Sequence, residues 1–311
     1  MWLLLTISVV VRAAGVLWPQ ARIAPDSGRC RTDVRVQGTG PSSEFAVTER
    51  AEGLLIPVQV AGRPDTLWLL FDSGAGHTVL DRNVARRLDL RATSQGTISG
   101  VGAGATAVDI VPRVALSLPG VRIEHVDLRL ASIPGPTHTR RPYADGIIGY
   151  DLLCRAVVTL DYRRRRITVT TPTAFRAPLG ADVLPLTIRG GWSFVRGTIK
   201  VPGQRAVEDE FLLDTGSLDF VNHPIIQKST GAVRQTRTGA GGFGESQAGV
   251  IGENEWFRLG HTTIAHTQSA CCAASTEVSR QLGRVSSRAF ARPSTMRTGG
   301  LSWRARTPGH D

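Results

Sequence analysis

Cysteine is scarce in this chain of 311 residues, which holds only Cys30, Cys154, Cys271 and Cys272. Four cysteines do not make a disulfide framework. Cys154 lies in an apolar context and reads as a buried thiol, and the adjacent Cys271 and Cys272 could bridge each other only with strain. No pair has metal-ligand spacing and the seven histidines form no His-x-x-x-His pattern, so neither a zinc site nor any cofactor is expected. A long hydrophobic run is also missing. The longest, Trp2 to Val11, falls well short of the roughly 20 residues that cross a bilayer, so no stable membrane insertion is expected. It has the length of an export-signal core, with small residues at Ala13-Ala14-Gly15 for cleavage, although no basic residue precedes it. Residues 1–15 are therefore read as a signal peptide, and the protein as exported to a periplasmic or extracellular space. The net charge of +11 invites a nucleic-acid reading, but no aromatic residues interleave with the tail arginines as stacking platforms would require. The excess reads as solvated charge, with no nucleic-acid partner.

What the chain does have is turn chemistry, with 34 Gly and 17 Pro, and the 41% hydrophobic content of a globular protein. Together these point to a mostly-β fold. Residues 16–52 read as a loose lead-in. From Leu54, "LLIPVQV" and "TLWLLFD" are strands around the turn "AGRPD", and "HTVLD" is a third. Asp81 makes an N-cap for a short helix, "RNVARRLDL". "ADGIIGYDLLCRAVVTLDYRRRRITVT" reads as a buried run ending at Gly149, a short helix and a hairpin whose turn carries the arginines. A connector spans 171–187, after which the opening pattern restarts.

The restart is the informative feature. "LLFDSGAGHTVLD" around Asp72 returns as "FLLDTGSLDFVN" around Asp214, 142 residues later, about one domain length. A lone Asp-Ser/Thr-Gly is a common turn; two, each closing an apolar strand, imply duplicated lobes that present their acids to one another. Carboxylates about 3 Å apart cannot both ionise and share one proton. The ionised member can then activate a water while the protonated member polarises a carbonyl. Gly74 and Gly216 permit close approach of the loops, and Ser73 and Thr215 supply hydroxyls that can bond across to the opposite loop.

On "LLFDSGAGHTVLD", "DGIIGYDLLCRAVVTLDY" and "FLLDTGS" the chain resembles the bilobal aspartic proteases of the pepsin and retropepsin type. The resemblance covers 54–170 and, less specifically, 188–262. It implies two acid-protease β-barrel lobes, 53–170 and 188–268, with six-stranded cores and a psi-shaped crossing. It further implies that Asp72 and Asp214 form a catalytic dyad in an endopeptidase acting on peptide or protein substrates. Ile147, Ile148 and Gly149 match the apolar-apolar-Gly element that threads behind the catalytic loop. Gly100, Val101 and Gly102 fall at the tip of the expected flap. A Rossmann reading of those glycines fails, because a β-branched stretch follows them rather than a helix.

The second copy departs from the pattern. Gly149 follows Asp72 by 77 residues, which places the second apolar-apolar-Gly near residue 291, and none stands there. Val250-Ile251-Gly252 has the composition but follows Asp214 by only 38 residues, in what reads as a flap-region hairpin. Residues 269–311 are poor in apolar runs and read as a low-order basic tail. The second lobe is thus expected to be incomplete. The alternative to an active enzyme is a degenerate, non-catalytic peptide-binding protein of the same fold, and lobe 1 is a candidate to pair with a second copy of itself.

Overall fold

The computed structural model describes residues 8–10, 30–50, 53–100, 102, 104–133, 144–178, 183–238, 243, 245, 247–272, 280–283 and 304–305. In the first lobe the apolar strands Gly53–Val60 and Thr66–Phe71 pair antiparallel, with Leu55 opposite Leu70. The chain turns at Asp72 and re-enters the sheet as Val79–Asp81. The Asp81 carboxylate then accepts a hydrogen bond from the Asn83 amide at 2.9 Å and caps the helix Arg82–Arg87. Three antiparallel strands follow, Ser94–Ile98, Thr106–Leu118 and Val121–Ala131. Finally Gly146–Ile148 inserts between the acid-bearing strand, to which it is parallel, and Val79–Asp81. The pairings of Val121–Ala131 with Val79–Asp81 and with Thr106–Leu118, and of Thr106–Leu118 with Gly53–Val60, close six strands into a ring. A closed ring leaves none of its six members as a bare edge.

The second lobe repeats this ring strand for strand. Trp192–Lys200 pairs with the acid-bearing strand Val207–Asp214. Gln281–Gly283 lies parallel to that strand and antiparallel to Val221–Asn222. The long hairpin Gln247–Leu259 and Thr262–Cys272 closes back onto Trp192–Lys200 through Thr198 opposite Arg258. Even a local irregularity recurs: His125 and His266, each four residues into the second long strand, have left-handed backbones with φ 61° and 51°. A further six-stranded sheet contains Val157–Asp161, Arg166–Thr170 and Ser42–Ala46.

Three expectations are corrected. First, the closing strand of lobe 2 is present at Gln281–Gly283. Leu213 pairs with Leu282 as Phe71 pairs with Ile148, so Gln281-Leu282-Gly283 is the counterpart of Ile147-Ile148-Gly149. Ordered strand therefore extends past 268, to Cys272 and again at 281, while 284–303 and 306–311 lie outside the described residues. Second, Cys154 is not a free thiol but is disulfide-bonded to Cys30. Third, the lead-in is structural from Cys30 onward. Asp33–Val36 pairs with Val121–Glu124, the Thr32 hydroxyl donates to the Asp151 carbonyl at 2.7 Å, and the Arg155 guanidinium donates to the carbonyls of Thr32 and Cys30. Of the residues read as a signal peptide, only Ser8–Val10 are described, as a short strand against Val157–Thr159.

A Cβ at Gly283 would collide with the Asp219 carbonyl, just as one at Gly149 would collide with the carbonyls of Asp72 and Ala75. Backbone yields less readily than a flexible side chain. Gly283→Ala is therefore expected to destabilise the protein by about 3 kcal/mol, the upper range for overpacking. Denaturant unfolding of the full chain measures it, and an unchanged midpoint would show that the strand is not part of the folded lobe.

Candidate active site

Each acid ends a strand that is buried on both faces. Phe71, Leu212 and Phe211 are nearly inaccessible, so the chain cannot shift without uncovering apolar surface. Behind Asp72 the crossing strand fixes the loop: the Asp72 amide donates to the Ile148 carbonyl at 2.9 Å and the Tyr150 amide to the Ala75 carbonyl at 2.9 Å. Behind Asp214 the arrangement is matched by the Gly283 amide, which donates to the Phe220 carbonyl at 2.9 Å.

The two loops are bound to each other by four crossed hydrogen bonds. The Ser73 amide donates to Thr215 Oγ1 at 2.9 Å, and the Thr215 amide donates to Ser73 Oγ at 3.0 Å. The hydroxyls pass the bonds on: Ser73 Oγ donates to the Leu213 carbonyl at 2.8 Å and Thr215 Oγ1 to the Phe71 carbonyl at 3.1 Å. Ser73, Thr215 and Asp214 are buried. Losing either hydroxyl would leave buried backbone groups unsatisfied, at about 1–3 kcal/mol each. Lobe 1 thus engages lobe 2 of the same chain through these loops.

The glycines bring the acids together. A Cβ on Gly74 would stand 2.7 Å from Asp214 Cγ, and one on Gly216 would stand 2.6 Å from Asp72 Cγ. Each carboxylate therefore lies against the bare backbone of the opposite loop while taking hydrogen bonds from its own. The Gly74 amide donates to Asp72 Oδ1 at 2.8 Å, and the amides of Gly216 and Ser217 donate to Asp214 Oδ1 at 3.0 and 2.9 Å. The two carboxyls also share a hydrogen bond. Burial pushes the Asp72 carboxyl above the ordinary aspartate range. Burial, the adjacent Asp72 charge and the shared bond push Asp214 well above it. The two acids are close enough to be coupled, so their titration belongs to the pair and not to either residue.

The hairpin turns of the two lobes also meet. The Gly102 amide donates to the Phe243 carbonyl at 3.1 Å, and Gly100 lies so close to the Phe243 backbone that a Cβ would stand 2.8 Å from it. Phe243 belongs to the corresponding turn of lobe 2, between Val233–Thr238 and Gln247–Leu259. Val101 lies outside the described residues. Phe243, which meets these glycines, is not singled out by the sequence; its signal is its place in the hairpin turn that repeats Gly100 to Gly102. Gln281-Leu282-Gly283 escaped for a different reason, because a polar residue stands where the first copy has Ile147.

A carboxyl whose pKa is raised by folding holds more protons folded than unfolded, so its cost to stability grows as pH rises through that interval. Asp214→Asn is therefore expected to melt higher than the wild type at neutral pH. The difference should vanish below the ordinary aspartate pKa of about 3.9. Thermal melts across pH check this, and a lower melting point for the variant at neutral pH would contradict it.

Residues 56–152 match the family model described as aspartyl protease. No curated protein matches the chain. The matched segment runs from the first strand of the ring into the helix that follows Gly149, so the lobe that carries Asp72 is similar to the aspartyl proteases that this model describes.

Proposed function

We propose that the protein is an aspartic endopeptidase that hydrolyses peptide bonds with a water activated between Asp72 and Asp214. The observation that carries this reading is the crossed Ser73–Thr215 bonding, which holds each carboxyl against the glycine of the opposite loop. A peptide in the cleft below Gly102 and Phe243 would place its scissile carbonyl over the pair. Asp72, the ionised member, would take a proton from the water as it attacks the carbonyl carbon. Asp214 would give its proton to the carbonyl oxygen, forming the tetrahedral diol. Collapse of the diol, with proton transfer to the amine, would return the pair to its starting state without a covalent intermediate.

The structure of lobe 2 supports activity over the degenerate alternative, because the closing strand and both loop glycines are in place. Export is proposed as well. Its support is the Cys30–Cys154 disulfide, a bond that persists in oxidising compartments.

The reaction needs the singly protonated pair. Hydrolysis of a mixed peptide library is therefore expected to follow a bell-shaped pH dependence, falling at low pH as the second proton binds and at high pH as the last one leaves. Asp72→Asn and Asp214→Asn should each reduce kcat by at least about a thousandfold, the scale of losing a central acid–base group. Activity that survives either substitution would place the chemistry elsewhere.

A further inference from the structure

The two lobes share one fold but line the cleft with different chemistry. In lobe 1, Leu55, Leu70, Val79, Ile98 and Ile147 form an apolar cluster separate from the main core. Ala75, from the Asp72 loop, and Phe243, from the opposite lobe's hairpin, both pack against it, so the cluster lies between the Asp72 loop and that hairpin. Strand register identifies the equivalent positions in lobe 2. Phe194 opposite Leu212 replaces Leu55 opposite Leu70. Gln281, between Leu212 and Asn222, replaces Ile147 between Leu70 and Val79. The two central aliphatic residues have thus become carboxamides.

These carboxamides form a local network with one open position. Asn222 Nδ2 donates to Asp219 Oδ2 at 2.9 Å and to Gln281 Oε1 at 3.2 Å, and Asn222 Oδ1 accepts the Ala270 amide at 3.1 Å. Gln281 is only 4% exposed, and its Nε2 has no hydrogen-bond partner among the described residues. A buried donor without an acceptor costs about 1–3 kcal/mol, a cost that an acceptor arriving with a ligand would recover. The Asp219 carboxylate beside the network disfavours an anionic acceptor and welcomes a donor.

We infer that Gln281 and Asn222 make the cleft a two-sided selector, taking an aliphatic or aromatic side chain toward lobe 1 and a neutral carboxamide, Gln or Asn, toward lobe 2. The inference rests on the proteolytic reading above and adds the substrate class. A carboxamide satisfies both halves of the network, since its oxygen accepts from Gln281 Nε2 while its NH2 group donates toward Asp219. An aliphatic side chain there leaves the Gln281 donor buried and unpaired. Sites that recognise a polar group by hydrogen bonding reject the analogue lacking it more strongly than apolar pockets reject an added group.

The test uses the full chain and two paired probe sets: peptides with Gln or Leu at the position facing lobe 2, and the same pairs with a non-cleavable reduced bond at the scissile position. Wild type should favour Gln over Leu by at least about tenfold, in kcat/KM for the cleavable pair and in Kd for the non-cleavable pair. Gln281→Ile, Gln281→Met and Asn222→Val should each shift the ratio toward Leu; Gln281→Met keeps the volume and guards against misfolding. If the non-cleavable peptides show the Gln preference but no peptide is cut, the selector stands and the proteolytic reading falls. Cleavage with equal or better use of Leu overturns the selector and leaves the proteolytic reading intact. Binding of neither peptide overturns the selector.

Discussion

The arrangement depends on holding two carboxyls together that electrostatics would drive apart. Water would separate them; the fold keeps them adjacent by removing the water and by tying their loops with the Ser73–Thr215 cross-bonds. The cost of that burial appears as the upward displacement of both acids. Everything nearby serves the same constraint. The acids sit at the ends of strands fixed on both faces, Gly74 and Gly216 leave room for the opposing carboxyl, and Gly149 and Gly283 let a second strand cross behind each loop.

Duplication explains why the constraint can be met with high precision. Two copies of one closed six-stranded ring bring like loops face to face, so one local solution serves both acids. It also leaves each copy free to diverge where the loops are not involved. The cross-bonding residues are Ser in one copy and Thr in the other, equivalent in hydrogen bonding. The residues beside the loops are not equivalent, since Ile147 and Val79 are matched by Gln281 and Asn222. Symmetry at the acids and asymmetry beside them thus occupy adjacent positions on the same strands.

The parts of this account legible in the sequence are those whose physics is local. A strand that must end in an acid and then turn sharply writes itself as Leu-Leu-Phe-Asp-Ser-Gly, and a helix that needs a cap shows Asp81. The parts that escaped depend on contacts distant in sequence. Cys30 meets Cys154 across 124 residues, with no spacing rule to announce it. The closing strand of lobe 2 was hidden because Gln281 breaks the apolar pattern and its neighbourhood is rich in Ser, Thr and Arg. A three-residue strand clasped between two others needs little sequence signal of its own, because its partners supply the hydrogen bonds and Leu282 alone reaches the core.

The central claim, one proton shared by a coupled Asp72–Asp214 pair, is tested most directly by following the aspartate side-chain carboxyl carbons by NMR across pH. The account predicts that two of these signals titrate together in two widely separated steps, one of them displaced well above the ordinary aspartate range, and that Asp214→Asn collapses the pattern to a single step at Asp72. Two independent titrations near the ordinary aspartate value of about 3.9, unaffected by substitution of the partner, would contradict it.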